Sequence, residues 1–135
     1  IKEEIKKCDV LCCDCHNALH ASETKTNLTK ELKLVKKQLQ EKNLYTTNRK
    51  QHQRLHRKKV TLLARQYVDN FKKRRSCKIC KEKNPFCLVF HHRQDEEKID
   101  KIPIIAKKGI KKVKEEIAKC EILCSNCHTK HHFAA

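Results

Sequence analysis

The sequence predicts a small α+β protein that is mostly helical and is stabilised by a metal site. One Gly and two Pro in 135 residues argue against a turn-rich β protein. The abundant Lys, Glu, Leu and Gln residues favour helices. Two Cys-x-x-Cys pairs, Cys77/Cys80 and Cys124/Cys127, are separated by a spacer the size of a small module. Because Zn²⁺ takes four such ligands in a tetrahedron, the two pairs together predict one structural zinc site.

The composition limits the kinds of protein that this chain can be. With 38% hydrophobic and 4% aromatic residues there is too little apolar material for one large core, so small metal-stabilised modules are expected. The formal net charge of +17 makes a polyanion such as nucleic acid the natural partner. No apolar run approaches the ~18 residues that span a bilayer, so no membrane partner is expected.

The ten cysteines favour metal-bound thiolates over disulfides. Most of them lie in or beside Cys-x-x-Cys pairs with histidines nearby, and no signal-like apolar run precedes them. We therefore expect an intracellular, reducing compartment, either the cytoplasm or a nucleoid-associated location.

An internal repeat divides the chain, because residues 1–21 align without a gap on residues 113–133. The identical Cys and His pairs are Cys8/Cys120, Cys12/Cys124, Cys15/Cys127, His16/His128 and His20/His132. We therefore predict a truncated C-terminal half of an upstream copy at 1–21, a basic helical linker at 22–75 and a complete module at 76–135. The chain has no Met and is expected to be a fragment of a longer, two-copy protein.

The linker predicts two amphipathic helices on either side of a break at 45–48. The first is expected within 29–44, with Asn27 or Thr29 as its cap. Its apolar positions are Leu28, Leu32, Val35 and Leu39, and those of the second helix are Val60, Leu63, Ala64, Tyr67, Val68 and Phe71. The apolar stripe of the second helix is expected to pack on the zinc module. The basic surface, which includes Arg54, Arg57, Lys58 and Lys59, is either a phosphate-tracking face or a merely solvated one.

The complete module predicts a strand, a helix, a second strand and a final helix between and after its cysteine pairs. The apolar run 86–90 predicts a strand that ends at His91 and His92. Residues 109–119 predict a helix, 121–123 the second strand, and 125–132 the final helix with Ser125 as its cap. Cys87, within the first strand, predicts a buried thiol and not a metal ligand.

The histidines of the module predict two different roles. His91 and His92 are adjacent in a strand and point to opposite sides of it. His128 and His132 are four residues apart and share one helix face. One strand histidine with one or two helix histidines can hold a divalent cation, while the other strand histidine is available as a base. This arrangement suits metal-assisted hydrolysis of a phosphodiester; the alternative is that the histidines supplement a structural zinc finger.

The repeat helps to choose between His131 and His132 as a ligand. Leu19 stands opposite His131 in the alignment, whereas His20 stands opposite His132. The duplicated feature is therefore the pair four residues apart, so His132 is the ligand that we expect.

The order of these motifs is specific over about residues 64–133. Along the chain it consists of Cys-x-x-Cys, then Leu88-Val89-Phe90-His91-His92, then Glu116-Ile117-x-Lys119-Cys120-x-x-Leu123-Cys124-x-Asn126-Cys127-His128, with His132 beyond. This order resembles the HNH endonucleases, which have a ββα-metal fold with a zinc-knuckle support. The resemblance implies a metal-dependent endonuclease that nicks or cleaves nucleic acid, with double-stranded DNA as its expected partner. A single module would nick one strand, and a duplex cut would require a dimer or a second copy.

The resemblance also implies a role for each site residue. His92 is the general base, and Cys77, Cys80, Cys124 and Cys127 hold structural Zn²⁺. The implied ligands of a catalytic Mg²⁺ or another divalent cation are His91, His128 and His132. The family's central Asn should lie eight or nine residues before His128, where this chain has Lys119 and Cys120. This departure keeps open the alternative of a non-catalytic, zinc-ribbon-like module that binds nucleic acid.

The Cys-x-x-Cys-His motif of the first copy, at Cys12 and Cys15, could in principle replace Cys124 and Cys127. We expect instead one four-cysteine site within the complete module, because its strands are joined within one module. His16 and His20 have no His-His strand of their own and are expected to hold no catalytic metal.

Overall fold

The computed structural model describes residues 9–41, 49–93 and 99–133. The elements are, in chain order, α1 (Cys13–Leu19), α2 (Ala21–Glu41), α3 (Arg49–Lys72), β1 (Leu88–His92), α4 (Ile102–Ile105), a 3₁₀ helix (Ala106–Lys108), α5 (Ile110–Ala118), β2 (Cys120–Cys124) and α6 (Ser125–Phe133). The predicted small, mostly helical α+β class is confirmed. The predicted break at 45–48 and the first eight residues of the repeat, including Cys8, lie outside the described residues.

The two strands form an antiparallel pair that is the centre of the module. The register runs from Leu88 opposite Cys124 to His92 opposite Cys120. Residues 86 and 87 form a turn, so β1 begins two residues later than predicted and contains both histidines. The Ser125 backbone N–H donates to the Cys87 carbonyl at 2.9 Å, which joins the start of α6 to the start of β1.

Helix α3 packs on the module through the apolar stripe that the sequence predicts. Ala64 is fully buried at the centre of this contact. The residues packed together here are Ala64, Tyr67, Val68 and Phe71 of α3 with Phe90, Ile102, Ile105, Ala106, Ile110, Val113 and Ile117. The main core therefore lies between α3 and the segment that connects the two strands.

The linker helix α2 differs from its predicted bounds. It begins at Ala21, so Asn27 and Thr29 lie inside the helix and the predicted caps are wrong. The six residues from Ala21 onward contain no Gly or Pro, and a helix propagates more easily than it starts. Leu32 and Val35 of α2 are buried against Leu62 of α3, as the apolar spacing predicts.

The connection between the strands contains a helical segment that the sequence did not predict. Helix α4 and the 3₁₀ helix span seven residues and bury Ile102, Ile105 and Ala106. Gly109 then takes a φ of +96° before α5, a conformation that side chains with a Cβ rarely adopt. A Cβ here would also lie 3.4 Å from Val60 Cγ1 of α3. The only glycine of the chain therefore sets the direction of α5.

Two further findings concern the surroundings of the protein. None of the described helices is long and apolar enough to cross a membrane. None of the described cysteines forms a disulfide, which agrees with the expected reducing compartment.

Candidate metal centre

Four sulfur atoms converge beside the two-stranded sheet. The Sγ atoms of Cys77, Cys80, Cys124 and Cys127 all lie within 4.8 Å of one another, and those of Cys80 and Cys124 are 3.5 Å apart. Cys77 and Cys124 are buried in a small cluster with Leu88 and Leu123. Four thiol donors that are not joined in disulfides fit Zn²⁺, which binds thiolates in a tetrahedron. The predicted four-cysteine cluster is therefore confirmed as a candidate zinc site.

Backbone hydrogen bonds position the first cysteine pair. The Lys78 N–H donates to the Ile122 carbonyl at 2.9 Å, which attaches the loop to the outer edge of β2. The Lys81 N–H donates to the Cys77 carbonyl at 3.1 Å. Lys81 has a φ of +64°, which closes the tight turn after Cys80.

A cysteine sulfur caps the final helix. The Cys127 N–H donates to Cys124 Sγ at 3.3 Å, the position that an N-cap side chain occupies. Ser125, the predicted cap, is the first residue of α6, and its hydroxyl donates instead to the Cys87 carbonyl at 3.2 Å. The correction follows from local geometry, since the residue before the helix has the side chain that can reach the free N–H groups.

The backbone also biases the ionisation of the cluster. Burial opposes ionisation of Cys77, but N–H groups of Cys80, Cys124 and Ile79 lower the pKa of its thiol to about 6. Burial raises the pKa of the Cys124 thiol. Because the thiolate is the form that binds metal, the lowered pKa of Cys77 favours metal binding at its sulfur, whereas binding at Cys124 has to displace a proton.

Three histidines converge where β1 meets α6. The ligand nitrogens of His91, His128 and His132 lie within 4.8 Å of one another. The His91 ring centroid is 5.2 Å from those of both His128 and His132, and the Nε2 atoms of His128 and His132 are 3.3 Å apart. The ring of His131 also contacts His91, with 4.6 Å between centroids, but the three converging nitrogens belong to the three predicted ligands.

The environment keeps His91 neutral. Burial lowers the pKa of its imidazole, and the charges of His131, His128 and His132 lower the pKa further. Neutral imidazole is the form that coordinates a metal ion. The three rings therefore present nitrogen donors from one partly exposed side, with His132 exposed to solvent.

His92 has a different partner. Its Nε2 lies 2.7 Å from Oε1 of Glu116, whose side chain is 1% exposed. The Ile99 N–H donates to the same oxygen at 3.2 Å, and Lys119 Nζ lies 3.5 Å from Oε2. Burial opposes ionisation of Glu116, but the hydrogen bonds from His92 and Ile99 and the Lys119 charge hold the pKa of its carboxyl below the usual range. An ionised carboxylate only accepts, so His92 Nε2–H is the donor and Nδ1 is left to accept a proton.

Glu116 belongs to the sequence motif, but the motif predicts no role for it. A signal was present, because Glu116 shares the apolar face of α5 with Val113 and Ile117, where a charge needs a buried partner. The positions where the family's Asn was expected also contact Glu116. The Cys120 thiol donates to the Glu116 carbonyl at 3.3 Å, and Lys119 is the cation next to its carboxylate.

The first copy of the cysteine–histidine motif lies against the second. The Asn126 amide donates to Cys12 Sγ at 3.5 Å, and the Asn17 amide donates to Ser125 Oγ at 3.1 Å. The Cys87 thiol donates to the Asp14 carbonyl at 3.2 Å. Cys12 is exposed and lies outside the four-sulfur cluster. Helix α1 therefore covers the start of α6 without providing a ligand to the candidate zinc site.

Comparison with protein families, with curated proteins and with solved structures found no match for this chain. The fold and the site define a small α+β protein with a two-stranded antiparallel sheet and a four-cysteine candidate zinc site. The resemblance to HNH endonucleases rests on the order of the motifs alone.

Proposed function

We propose that this chain is a metal-dependent endonuclease of the HNH type that hydrolyses phosphodiester bonds in DNA. The convergence of the His91, His128 and His132 nitrogens within 4.8 Å of one another supports this proposal most directly. The alternation along β1 turns His92 to a separate partner. The candidate metal ligands and the candidate base are therefore different side chains, as metal-assisted hydrolysis of a phosphodiester requires.

The three histidines fit a divalent cation with open coordination positions. One strand and one helix provide the three imidazoles. Among the described residues, no carboxylate belongs to this candidate ligand group. A cation bound there would neutralise charge that develops on the phosphate during hydrolysis.

His92 is the general base in this proposal, and Glu116 is its positioning residue. The hydrogen bond to Glu116 Oε1 fixes the imidazole ring and its tautomer, so that Nδ1 can take a proton from water. The ionised carboxylate also stabilises the imidazolium that forms. Glu116 would thereby orient the base, the role that the Asn has in the family; this chain has Lys119 and Cys120 where that Asn is expected.

The four-cysteine site has a supporting role. Zinc bound there would join the loop at Cys77 and Cys80 to the end of β2 and the first turn of α6. His128 lies on α6, which this site holds directly, and His91 lies on β1, which is paired with β2. Loss of the zinc would therefore separate the histidines as well as the sulfurs.

A plasmid-nicking assay with Mg²⁺ or Mn²⁺ tests the proposal. The wild-type protein is expected to nick, and His92→Ala is expected to abolish nicking with DNA affinity nearly unchanged. His56→Ala is the matched control, since His56 is exposed on α3. Nicking by His92→Ala at the wild-type rate would show that His92 is not the base.

A second candidate function is a non-catalytic zinc-ribbon-like module that binds nucleic acid. The observation that favours it is the low exposure of His92, whose side chain is 15% accessible, together with Lys119 and Cys120 where an Asn was expected. DNA binding without nicking under any divalent cation would select this alternative.

A further inference from the structure

A basic cleft of about 890 Å³ lies between the C-terminal end of α3, α5 and the outer side of β2. Seven cationic residues line its walls, and they are Lys73, Arg74, Arg75, Lys78, Lys83, Arg93 and Lys114. The described lining residues include a single carboxylate, that of Glu121, and it is already bound to Lys78 at 2.6 Å. The cleft therefore has a strong excess of positive charge.

Aromatic rings hold two of these cations in place. Tyr67, Phe71 and Phe90 form a row with centroids 6.2 and 6.1 Å apart. The Arg75 guanidinium lies 5.0 Å from the centre of the Phe71 ring, and Lys114 Nζ lies 5.3 Å from that of Tyr67. Long cationic side chains that are already ordered lose less conformational entropy when they meet a phosphate.

The earlier part of α3 offers a useful contrast. Arg54 and Arg57 are exposed on the convex surface of a single helix, Lys59 is half-buried there, and Lys58 is paired with Glu31 at 2.6 Å. Cations around a concave surface focus the field on one anion more strongly than cations spread over a convex one. The cleft is thus the better-built anion site, although the run in α3 was the one that the sequence indicated.

We propose that this cleft binds the sugar–phosphate backbone of DNA as a contact additional to the histidine cluster. Phe90 lines the cleft, whereas the adjacent His91 packs on α6, so the two sites face opposite sides of the hairpin. The backbone is the recognised part, because a cation lies over each ring on which a base would stack, including Lys72 over Phe90 at 5.4 Å. The inference rests on the proposed function only in taking DNA as the partner, since binding does not require cleavage.

Two triple variants with equal charge loss test the cleft. Lys73→Gln/Arg75→Gln/Lys114→Gln removes cleft cations, and Arg54→Gln/Arg57→Gln/Lys59→Gln removes the same charge from the α3 run. Binding to a fluorescein-labelled DNA duplex is measured by anisotropy across salt concentrations, in zinc-loaded protein without Mg²⁺. The cleft variant is expected to bind at least about tenfold more weakly and to lose about 2.7 units of salt slope, and the control about none.

The double variant Lys83→Gln/Arg93→Gln separates lost binding from a folding defect, since neither side chain stacks on the aromatic row. It should also weaken binding, with a circular dichroism spectrum like that of the wild type. Equal losses in the cleft and α3 variants, an unchanged cleft variant, or no binding by wild type would each overturn the proposal. Nicking is measured separately with Mg²⁺. Selective loss of affinity in a protein that never nicks would reject the nuclease and leave the cleft assignment standing.

Discussion

Helices α1 and α6 have the same cysteine–histidine motif and different surroundings. In both, a cysteine sulfur accepts a hydrogen bond from the backbone N–H three residues later, at 3.4 Å from Cys15 and 3.3 Å from Cys127. In both copies, two histidines four residues apart meet edge to face, with centroids 4.9 Å apart for His16 and His20 at the end of α1 and 4.6 Å apart for the pair in α6. Locally, the two helices are therefore close copies.

The difference lies in what reaches each helix from elsewhere in the chain. The loop at Cys77 and Cys80 and the strand residue His91 meet α6, and neither joins the thiols or histidines of α1. The repeated motif with its second histidine supplies two of the four sulfurs and two of the three histidine nitrogens. The loop at Cys77 and Cys80 and the strand residue His91 supply the rest, so topology decides which copy can bind metal.

The largest expected difference between the copies is in stability. Cys124→Ser is expected to lose bound zinc and to unfold the module, because a structural zinc site contributes on the order of 10 kcal/mol. Cys12→Ser should retain the zinc, since Cys12 lies outside the four-sulfur cluster. Zinc content by mass spectrometry and thermal unfolding measure both effects. Equal zinc loss in the two variants would mean that α1 shares the site.

The next test compares equivalent histidines. His128→Ala is expected to reduce Mn²⁺-dependent nicking roughly 100-fold or more, as loss of a metal contact does, and His16→Ala to leave it unchanged. Direct titration of bound Mn²⁺ by electron paramagnetic resonance provides a readout besides activity. Weaker Mn²⁺ binding in His16→Ala would mean that the first copy also binds a metal ion.

A third comparison extends to Glu116, whose counterpart in the first copy, Glu4, lies outside the described residues. Glu116→Gln should lower kcat roughly 10-fold to 100-fold with KM little changed, because the His92 ring would be held less firmly as the proposed base. The exposed neighbour Glu115, paired with Lys112, gives the matched control Glu115→Gln. A change in KM alone in Glu116→Gln would argue against a role of Glu116 in positioning His92.

Glu116 also predicts a pH dependence of stability. Its folded pKa lies below the ordinary value of 4.5, so its ionised form stabilises the fold above that pH. This contribution is lost as the pH falls through the folded pKa. Chemical denaturation at several pH values should show a steeper acid loss for wild type than for Glu116→Gln, and parallel curves would contradict the assignment.

The smallest expected effect concerns thiol reactivity. The Cys15 N–H and the Asn126 amide lower the pKa of the exposed Cys12 thiol to about 7, whereas burial raises that of Cys87 to about 11. In zinc-loaded protein, iodoacetamide at pH 7 should therefore modify Cys12 well before Cys87. Asn126→Ala should shift the Cys12 profile upward by a fraction of a pH unit. Peptide mapping locates the modified residue.

The sequence predicted the parts of this structure that depend on local spacing. The two cysteine pairs, the alternation that separates His91 from His92 and the apolar stripe of α3 all follow from short-range periods. Helix bounds were less accurate, since α2 continues through its expected caps. Segment 102–108 was missed because four helical residues and a 3₁₀ turn give no period. The buried pairing of His92 with Glu116 and the basic cleft join residues distant in sequence, and no local pattern specifies them.

The contact between α1 and α6 is reciprocal. Asn126 contacts Cys12, and Asp14, which is equivalent to Asn126, is close enough to Cys124 to help raise its thiol pKa. The two copies therefore meet through equivalent positions, 12 with 126 and 124 with 14. A substitution at position 126 alters the surroundings of Cys12, and one at position 14 alters those of Cys124. A change in either copy thus affects a cysteine of the other.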